Sequence, residues 1–218
     1  TQNVFQNSVA VFTAAIVNKA KRIIFCSSMA RYGNNKTPFT EDQKTNPVDP
    51  YGISKVAAEN ILMTLSDIHN IEYCIAVPHN IFGPRQKYND PYRNVASIMI
   101  NLMLQGRQPI IYGDGEQKRC FSYIDDCIFC LKEMAYSEKV LKQVINIGPD
   151  EELITINKLA ENIANLLKFN LNPTYMPDRP QEVKVATCSS NKARELLNYK
   201  TNTTLNEGLK ILIDYIKE

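Results

Sequence analysis

Short apolar runs alternate along this chain with longer segments whose apolar residues recur at helical intervals. The short runs are typical of strands buried on both faces, and they predict strands at residues 23–26, 73–77, 110–112 and 144–147. The periodic segments predict helices at residues 8–20, 51–69, 95–106, 127–136, 156–168 and 205–217. Residues 121–124 look extended, and the polar stretches 27–50 and 80–94 are predicted to be loops. Long loops in compact domains are usually functional.

Capping residues support three of these helix starts. Thr204 followed by Glu207 predicts a capping box for the last helix. Thr155 predicts the start of the helix at 156–168, and Asp125 or Asp126 that of the helix at 127–136. Helices that alternate with short strands predict an α/β fold with a parallel sheet. The shorter, less regular later elements predict a small second lobe.

Composition and charge exclude several classes of protein. The chain has 218 residues, of which 44% are hydrophobic, so it can bury a sizeable core. Lys and Arg total 25 against 23 Asp and Glu, which leaves no basic field for nucleic acid. No apolar run approaches the ~20 residues of a membrane span.

The six cysteines are scattered and mostly lie beside apolar residues. That pattern predicts buried free thiols in a reducing compartment, which places the protein in the cytoplasm. Cys127 and Cys130 form one CxxC pair without a nearby His. A zinc site needs about four ligands, so we interpret the pair as core thiols and expect no metal site.

One group of polar residues points to chemistry. Tyr51 and Lys55 lie one helical turn apart at the start of a predicted helix, so both side chains share a face. An ammonium beside a phenol stabilises the phenolate, which can then act as a base. Ser27 and Ser28 end a buried strand, where side chains face the ligand crevice of an α/β sheet. Ser, Tyr and Lys can therefore surround one substrate oxygen.

These residues lie within longer motifs that resemble one family, the extended short-chain dehydrogenase/reductases, and in particular their nucleotide-sugar epimerases and dehydratases. The matching stretches are IIFCSSMARYG at 23–33, DPYGISKVAAE at 49–59, NIFGPRQ at 80–86, IYGDGEQKR at 111–119, RPQE at 179–182 and the final helix. The resemblance implies a partial Rossmann-like, doubly wound parallel sheet with a small C-terminal α+β substrate lobe. It assigns residues 1–80 to the dinucleotide-binding domain. Residues 81–218 form mainly the nucleotide-sugar lobe, with elements that return to the sheet.

The resemblance also implies roles for individual residues. The catalytic residues are Ser28, Tyr51 and Lys55. The residues that meet the cofactor, NAD, are Ser27, Tyr51, Lys55 and Pro78. The residues that meet the nucleotide-sugar are Ser28, Asn80, Asn94, Val95, Arg119 and Arg179. Asn94 and Val95 meet the nucleobase through backbone, and the two arginines bind the diphosphate by charge-assisted contacts.

Met29 and Ala30 distinguish between reactions within the family. The 4,6-dehydratases of the family carry Asp-Glu there, and these two side chains offer neither acid nor base. We therefore expect epimerisation, at C4 of a UDP-hexose or UDP-N-acetylhexosamine. The alternatives are another nucleotide-sugar reductase, dehydratase or decarboxylase of the same family, or an inactive nucleotide-sugar-binding fragment.

Two features depart from the family pattern. The eight glycines contain no G-x-x-G-x-x-G turn, which seats the dinucleotide pyrophosphate at a helix N-terminus. Pro78 replaces a residue whose N–H reaches the nicotinamide, and proline has no N–H. We expect this chain to be truncated and to bind NAD poorly by itself. The resemblance further implies a homodimer formed by the helices at 8–20 and 51–69, through Val9, Phe12, Ile16, Ile61 and Leu65.

Overall fold

The computed structural model describes residues 2–90, 94–178 and 183–218. Those residues form seven α-helices, which are α1 Gln2–Val17, α2 Pro50–His69, α3 Val95–Leu104, α4 Ile124–Tyr136, α5 Ile156–Leu167, α6 Asn191–Leu197 and α7 Leu205–Lys217. They also form ten strands, which are β1 Arg22–Cys26, β2 Glu72–Pro78, β3 Ile81–Phe82, β4 Ile110–Tyr112, β5 Lys118–Arg119, β6 Ser122–Tyr123, β7 Val144–Ile147, β8 Ile154–Thr155, β9 Thr174–Met176 and β10 Val185–Ala186. No helix in these ranges is both long and apolar enough to cross a membrane.

The chain divides into two compact units, each built from separate stretches of sequence. The first unit comprises Thr1–His79, Cys127–Ile147 and Cys188–Lys200. The second unit comprises Asn80–Asp126, Gly148–Thr187 and Thr201–Glu218. The assignment of a dinucleotide to the first part of the chain and of a nucleotide-sugar to the later part remains a prediction.

A parallel sheet organises the first unit. Its strand order is β1-β2-β7, so β2 lies in the centre, and Ile24 of β1 is in register with Cys74 of β2. The side chains from Cys74 to Val77 are fully buried, as a strand covered on both faces requires. This parallel arrangement confirms the α/β class that the alternating pattern predicts.

The edge strand β1 departs from that pattern. Ile23 and Phe25 are buried, whereas Ile24 is half-buried and the Cys26 side chain is exposed. The expectation that β1 is buried on both faces, and Cys26 with it, is therefore wrong. Successive side chains of a strand point to opposite faces of the sheet, and the face of β1 that carries Ile23 and Phe25 is the better covered of the two. The other five cysteines are buried, including Cys127 and Cys130 on α4.

Helices α1 and α2 pack against each other in the first unit. The Phe12 ring of α1 is buried and meets the Phe25 ring of β1 edge-on, with centroids 5.4 Å apart. Phe12 therefore belongs to the core, and its expected place on a dimer surface is wrong. The other four predicted interface residues, Val9, Ile16, Ile61 and Leu65, are half-buried. The large aliphatic side chains that are exposed on these two helices are Val11, Val17, Ile53 and Ile68.

Helices α3, α5 and α7 enclose the core of the second unit. Its strands form the pairs β3-β6 and β4-β9 and a three-stranded sheet in the order β10-β5-β8. The Phe82 ring lies edge-on to Phe121 and Tyr123. Helix α7 passes so close to these rings that a Cβ on Gly208 would lie 2.8 Å from Phe82 Cζ, so this position requires glycine.

Capping residues in the sequence predicted the starts of α5 and α7 correctly and the start of α4 incorrectly. Thr155 caps α5, and Thr204 forms the predicted capping box with Glu207. Helix α4 begins at Ile124, so Asp125 and Asp126 lie inside its first turn and neither is the cap. The buried Asp126 carboxylate instead accepts backbone N–H groups from Asn202 and Thr203.

Several further elements differ from the sequence prediction, and strands β5, β8, β9 and β10 had no predicted counterpart. Helix α1 begins at Gln2, not at residue 8. Strand β3 lies within the predicted loop at 80–94 and pairs with β6. Helix α6 had no predicted counterpart. Two-residue strands and a helix of 7 residues are too short to show a periodic pattern.

Candidate active site

The start of helix α2 fixes where Tyr51 and Lys55 lie. Asp49 caps the helix, with its Oδ1 accepting the Gly52 N–H at 2.8 Å, and Pro50 follows at the first helical position. Tyr51 is therefore in the first turn and Lys55 one turn later. The Lys55 ammonium lies 5.8 Å from the centroid of the Tyr51 ring. The Tyr51 side chain is 46% exposed, so a ligand can reach its hydroxyl.

The Lys55 side chain is anchored to strand β1. Its Nζ donates a hydrogen bond to the Cys26 carbonyl at 2.8 Å and lies 4.9 Å from the centroid of the Phe25 ring. Burial lowers the pKa of Lys55, and the negative charge of Glu59 opposes that shift. The ammonium is thus held at the carboxyl end of β1, two residues before Ser28.

Ser28 lies at a sharp change of backbone direction. It is extended, with φ −152° and ψ 150°, and a short 3₁₀ helix over Met29–Arg31 follows. Its Oγ accepts the N–H of Ala30 at 3.2 Å and so caps that helix. The cap uses a lone pair of Oγ and leaves the hydroxyl proton to be donated to a ligand.

Ser27 is committed to the interior of the protein. Its N–H donates to the Ala76 carbonyl at 2.7 Å, and its buried Oγ bonds the Glu59 carboxylate. The side chain therefore serves a structural purpose. The N–H and the hydroxyl proton of Ser27 are thus both engaged within the first unit, and its contact with a cofactor remains a prediction.

Pro78 is the last residue of β2 and pairs in register with Ile147 of β7. It offers no N–H. His79 comes next, with its side chain buried and its N–H donating to the Ile147 carbonyl at 3.2 Å. Ser27, Ser28, Tyr51, Lys55 and Pro78 thus all lie in the first unit, at strand ends or on the helix that follows β1.

The remaining predicted residues lie in the second unit. Asn80 has a positive φ of 47°, and its amide nitrogen donates to the Cys120 carbonyl at 2.7 Å, directly after Arg119. The amide of Asn94 is occupied at both ends, because its Oδ1 caps α3 at the Ala96 N–H and its Nδ2 donates to the Ile81 carbonyl. Contact of the Asn94 backbone with a nucleobase remains a prediction. Val95, the next residue, begins α3.

Arg119 lies on β5 between β8 and β10. Its Nη1 donates to the carbonyls of Lys118, at 2.8 Å, and Lys184, at 3.4 Å. The second predicted diphosphate ligand, Arg179, lies outside the described residues.

A buried ion pair beside Ser28 was not predicted. Arg31 and Glu59 are 5% and 1% exposed, and the Arg31 Nη2 lies 2.9 Å from Glu59 Oε2. Burial alone lowers the pKa of Arg31, but the Glu59 carboxylate reverses that effect and the pKa is raised. Glu59 comes one helical turn after Lys55, and that spacing was the available signal. The described residues contain no cluster of His, Cys, Asp or Glu able to hold a metal ion.

Comparison with known proteins identifies the family of the chain. A sequence model of the GDP-mannose 4,6-dehydratase family matches residues 7–212, nearly the whole chain. The chain belongs to this family. Membership confirms the resemblance to the nucleotide-sugar epimerases and dehydratases of the extended short-chain dehydrogenase/reductases.

Several proteins to which this chain is similar are epimerases. A putative UDP-glucose 4-epimerase of Methanocaldococcus jannaschii is 35% identical over 201 residues, which cover 90% of this chain and 63% of that protein. The UDP-N-acetylglucosamine 4-epimerase of Methanobrevibacter ruminantium, solved with UDP-N-acetylmuramic acid, superposes with a TM-score of 0.91 at 31% identity. That match covers 99% of this chain and 69% of the solved one.

A third relative was solved with a cofactor. The UDP-glucuronic acid 4-epimerase of Bacillus cereus, in complex with UDP-glucuronic acid and NAD, has a TM-score of 0.91 and is 28% identical. The match covers 99% of this chain and 68% of that one. The chain thus spans between three-fifths and seven-tenths of the length of these family members. The likeness also confirms a Rossmann-like α/β fold.

Proposed function

We propose that the protein containing this chain is an NAD-dependent nucleotide-sugar epimerase that acts at C4 of a UDP-hexose or UDP-N-acetylhexosamine. One observation carries the proposal. Lys55 lies one turn after Tyr51 and is anchored to the Cys26 carbonyl, two residues before Ser28. The names of the three relatives, all 4-epimerases of UDP-sugars, support the same reaction.

Each of the three residues has a distinct part in that reaction. Tyr51 takes the proton of the C4 hydroxyl and later returns it to the same oxygen. Ser28 donates its hydroxyl proton to that oxygen as a hydrogen bond. The Lys55 ammonium favours the phenolate form of Tyr51 and binds the ribose of the cofactor. Bound NAD supplies a reversible hydride acceptor, so the sugar is oxidised and reduced again without net redox change.

The residues that follow Ser28 favour epimerisation over dehydration. Elimination of water from the sugar needs an acid and a base, and Met29 and Ala30 provide neither. Met29 packs against the core of the first unit, which suits its apolar side chain. The family model that matches this chain is named after a dehydratase, so the choice of epimerisation depends on the residues at positions 29 and 30.

The residues of this chain fit one half of NAD. The Lys55 ammonium and the Tyr51 hydroxyl are donors suited to the nicotinamide ribose. The pyrophosphate half needs a glycine-rich turn at a helix N-terminus, and the 218 residues contain no such motif. Pro78 also withholds a backbone donor from the nicotinamide.

The nucleotide-sugar contacts that we propose come from the second unit. Arg119 and Arg179 bind the diphosphate, Asn80 lies near it, and the backbone at Asn94 and Val95 meets the nucleobase. The occupied side chain of Asn94 supports a backbone role for that residue. We also propose a homodimer in which α1 and α2 pair with their copies, and a cytoplasmic location.

The test is a product analysis with the full-length protein and NAD. UDP-glucose, UDP-N-acetylglucosamine and UDP-glucuronic acid are supplied separately, and products are separated by anion exchange and identified by proton NMR. We expect conversion of at least one to its C4 epimer. Release of carbon dioxide from UDP-glucuronic acid would support the decarboxylase alternative, and loss of water would support the dehydratase alternative.

A further inference from the structure

Helix α2 carries a carboxylate that is almost completely removed from solvent. Glu59 is 1% exposed and lies one helical turn after Lys55. A buried carboxylate is costly unless it is paired and hydrogen-bonded. Nothing in the chemistry assigned to Ser28, Tyr51 and Lys55 uses it.

Glu59 bonds two residues of the segment that follows β1. Arg31 Nε donates to Glu59 Oε1 at 3.1 Å, and Arg31 Nη2 donates to Oε2 at 2.9 Å. The Ser27 hydroxyl donates to Oε1. Both carboxylate oxygens thus have partners, which compensates for their burial.

Those two partners lie on either side of Ser28 in the chain. Ser27 comes immediately before it, and Arg31 ends the short 3₁₀ helix that Ser28 caps. A single carboxylate therefore holds both ends of the segment that carries the Ser28 hydroxyl. The same carboxylate is part of the helix that presents Tyr51 and Lys55.

Two other residues on the same stripe of α2 hold this segment as well. A Cβ on Gly52 would lie 2.7 Å from the Ala30 carbonyl oxygen, so the helix backbone lies directly against the 3₁₀ helix. Lys55 Nζ donates to the Cys26 carbonyl. Gly52, Lys55 and Glu59 follow one another at helical spacing, and Glu59 is the member of this stripe that bonds side chains on both sides of Ser28.

We propose that Glu59, paired with Arg31, is a positioning residue that fixes the Ser28 hydroxyl relative to Tyr51 and Lys55. The proposal rests on the proposed function for what Ser28 does with its proton. A side chain misplaced by about 1 Å can cost roughly a hundredfold in rate, so such positioning has a measurable consequence.

The decisive variant replaces the pair by apolar side chains of similar volume, Arg31→Met with Glu59→Leu, in the full-length protein. Each single change leaves one buried charge unpaired and should lower Tm by roughly 10 °C. The double variant should recover most of the lost Tm, because no unpaired charge remains and the one buried group in the segment that loses its acceptor is the uncharged Ser27 hydroxyl. Its kcat should stay roughly 10- to 100-fold low with KM nearly unchanged.

Hydrogen exchange supplies a second readout that needs no activity. The N–H groups of Ala30, Arg31 and Tyr32 are bonded to Ser28 Oγ, the Ser28 carbonyl and the Met29 carbonyl. In the double variant these amides should exchange faster, while those of β2 should not change. If the wild-type protein epimerises no sugar, the proposed function fails, and this measurement still decides the positioning role.

A matched control uses another ion pair of the same helix. Asp67 of α2 bonds Lys142 at 2.8 Å, and both side chains are more than 60% exposed. The double variant Lys142→Met with Asp67→Leu should leave Tm, kcat and exchange of residues 28–32 close to wild type, because exposed pairs contribute little.

The inference is overturned if the Arg31→Met, Glu59→Leu variant folds and keeps wild-type kcat and wild-type exchange at residues 28–32. The pair would then only fill the core. If that variant does not fold, Ser27→Ala replaces it, because it removes the hydroxyl bonded to Glu59 and keeps the ion pair. Faster exchange at residues 28–32 in Ser27→Ala supports the positioning role, and unchanged exchange contradicts it.

Discussion

Tyr51 owes its place to the two residues before it. Asp49 ends the preceding loop by capping the helix, and Pro50 has no N–H that would need a partner there. The first turn therefore begins at a fixed point, and Tyr51 and Lys55 share one face of it. Lys55 is held further by the Cys26 carbonyl, so its ammonium has a defined position beside the phenol ring.

We predict the effect of removing the hydroxyl oxygen of Tyr51. Tyr51→Phe in the full-length protein should lower kcat by roughly 10²- to 10⁴-fold, because the base that takes the sugar proton is lost. KM should change little, since the ring remains. Steady-state kinetics of 4-epimerisation measure both quantities.

Tyr136→Phe is the matched control for that variant. Tyr136 is 78% exposed at the end of α4 and has no part in the proposed site. It should leave kcat unchanged. Near-wild-type turnover of Tyr51→Phe would remove Tyr51 from the role of base.

Helices α1 and α2 each carry both buried and exposed apolar side chains. Their inner sides bury Phe12 and Leu62 in the core of the first unit. Elsewhere on the same helices Val11 is 62% exposed and Ile68 is 67% exposed. Exposed apolar side chains on neighbouring helices mark a surface suited to a partner, and we propose a second copy of the same helix pair as that partner.

A charge on that surface should disrupt the dimer. Val11→Glu in the full-length protein should shift the mass measured by light scattering from dimer to monomer at micromolar concentration, because the carboxylate would have to lose water at an apolar interface. Ile211→Glu, at a position of α7 that is 43% exposed, should leave the dimer intact. A wild-type protein that is monomeric at this concentration would refute the proposed association.

For the whole molecule, the residues proposed to bind ligands are divided between the two units, each of which is described by itself. The first unit carries the Ser, Tyr and Lys, and the second carries Asn80 and Arg119. Each has its own apolar core. We propose that the parallel sheet of the first unit binds the dinucleotide, yet the sequence supplies no glycine-rich turn for the pyrophosphate.

We therefore predict different affinities of this 218-residue chain for its two nucleotide ligands. Calorimetry should detect binding of UDP and little or no binding of NAD. Arg119→Ala should weaken UDP binding by about tenfold or more, because charge-assisted hydrogen bonds to the diphosphate are lost. Arg107→Ala, which changes an exposed arginine elsewhere in the same unit, should have no effect. Micromolar NAD affinity would show that the cofactor is held by other residues of the chain.

The sequence by itself determined the features that local chemistry controls. The central strand β2 shows its burial as an unbroken apolar run, and Thr155 and Thr204 show helix starts by side-chain capping. Tyr51 and Lys55 are neighbours because of helical spacing alone. Family motifs extended this local information to fold class and to candidate ligand contacts.

Only the tertiary structure decided which side chains from distant parts of the chain meet. Arg31 and Glu59 are 28 residues apart and read as ordinary surface charges, yet the packing of the segment after β1 on α2 buries both. Tertiary packing also leaves Cys26 exposed at the end of β1 and buries Phe12 of α1 against Phe25, although a helical pattern alone places Phe12 equally well on a dimer face. Whether a side chain is buried depends on which other element packs against it, and the local sequence pattern does not identify that element.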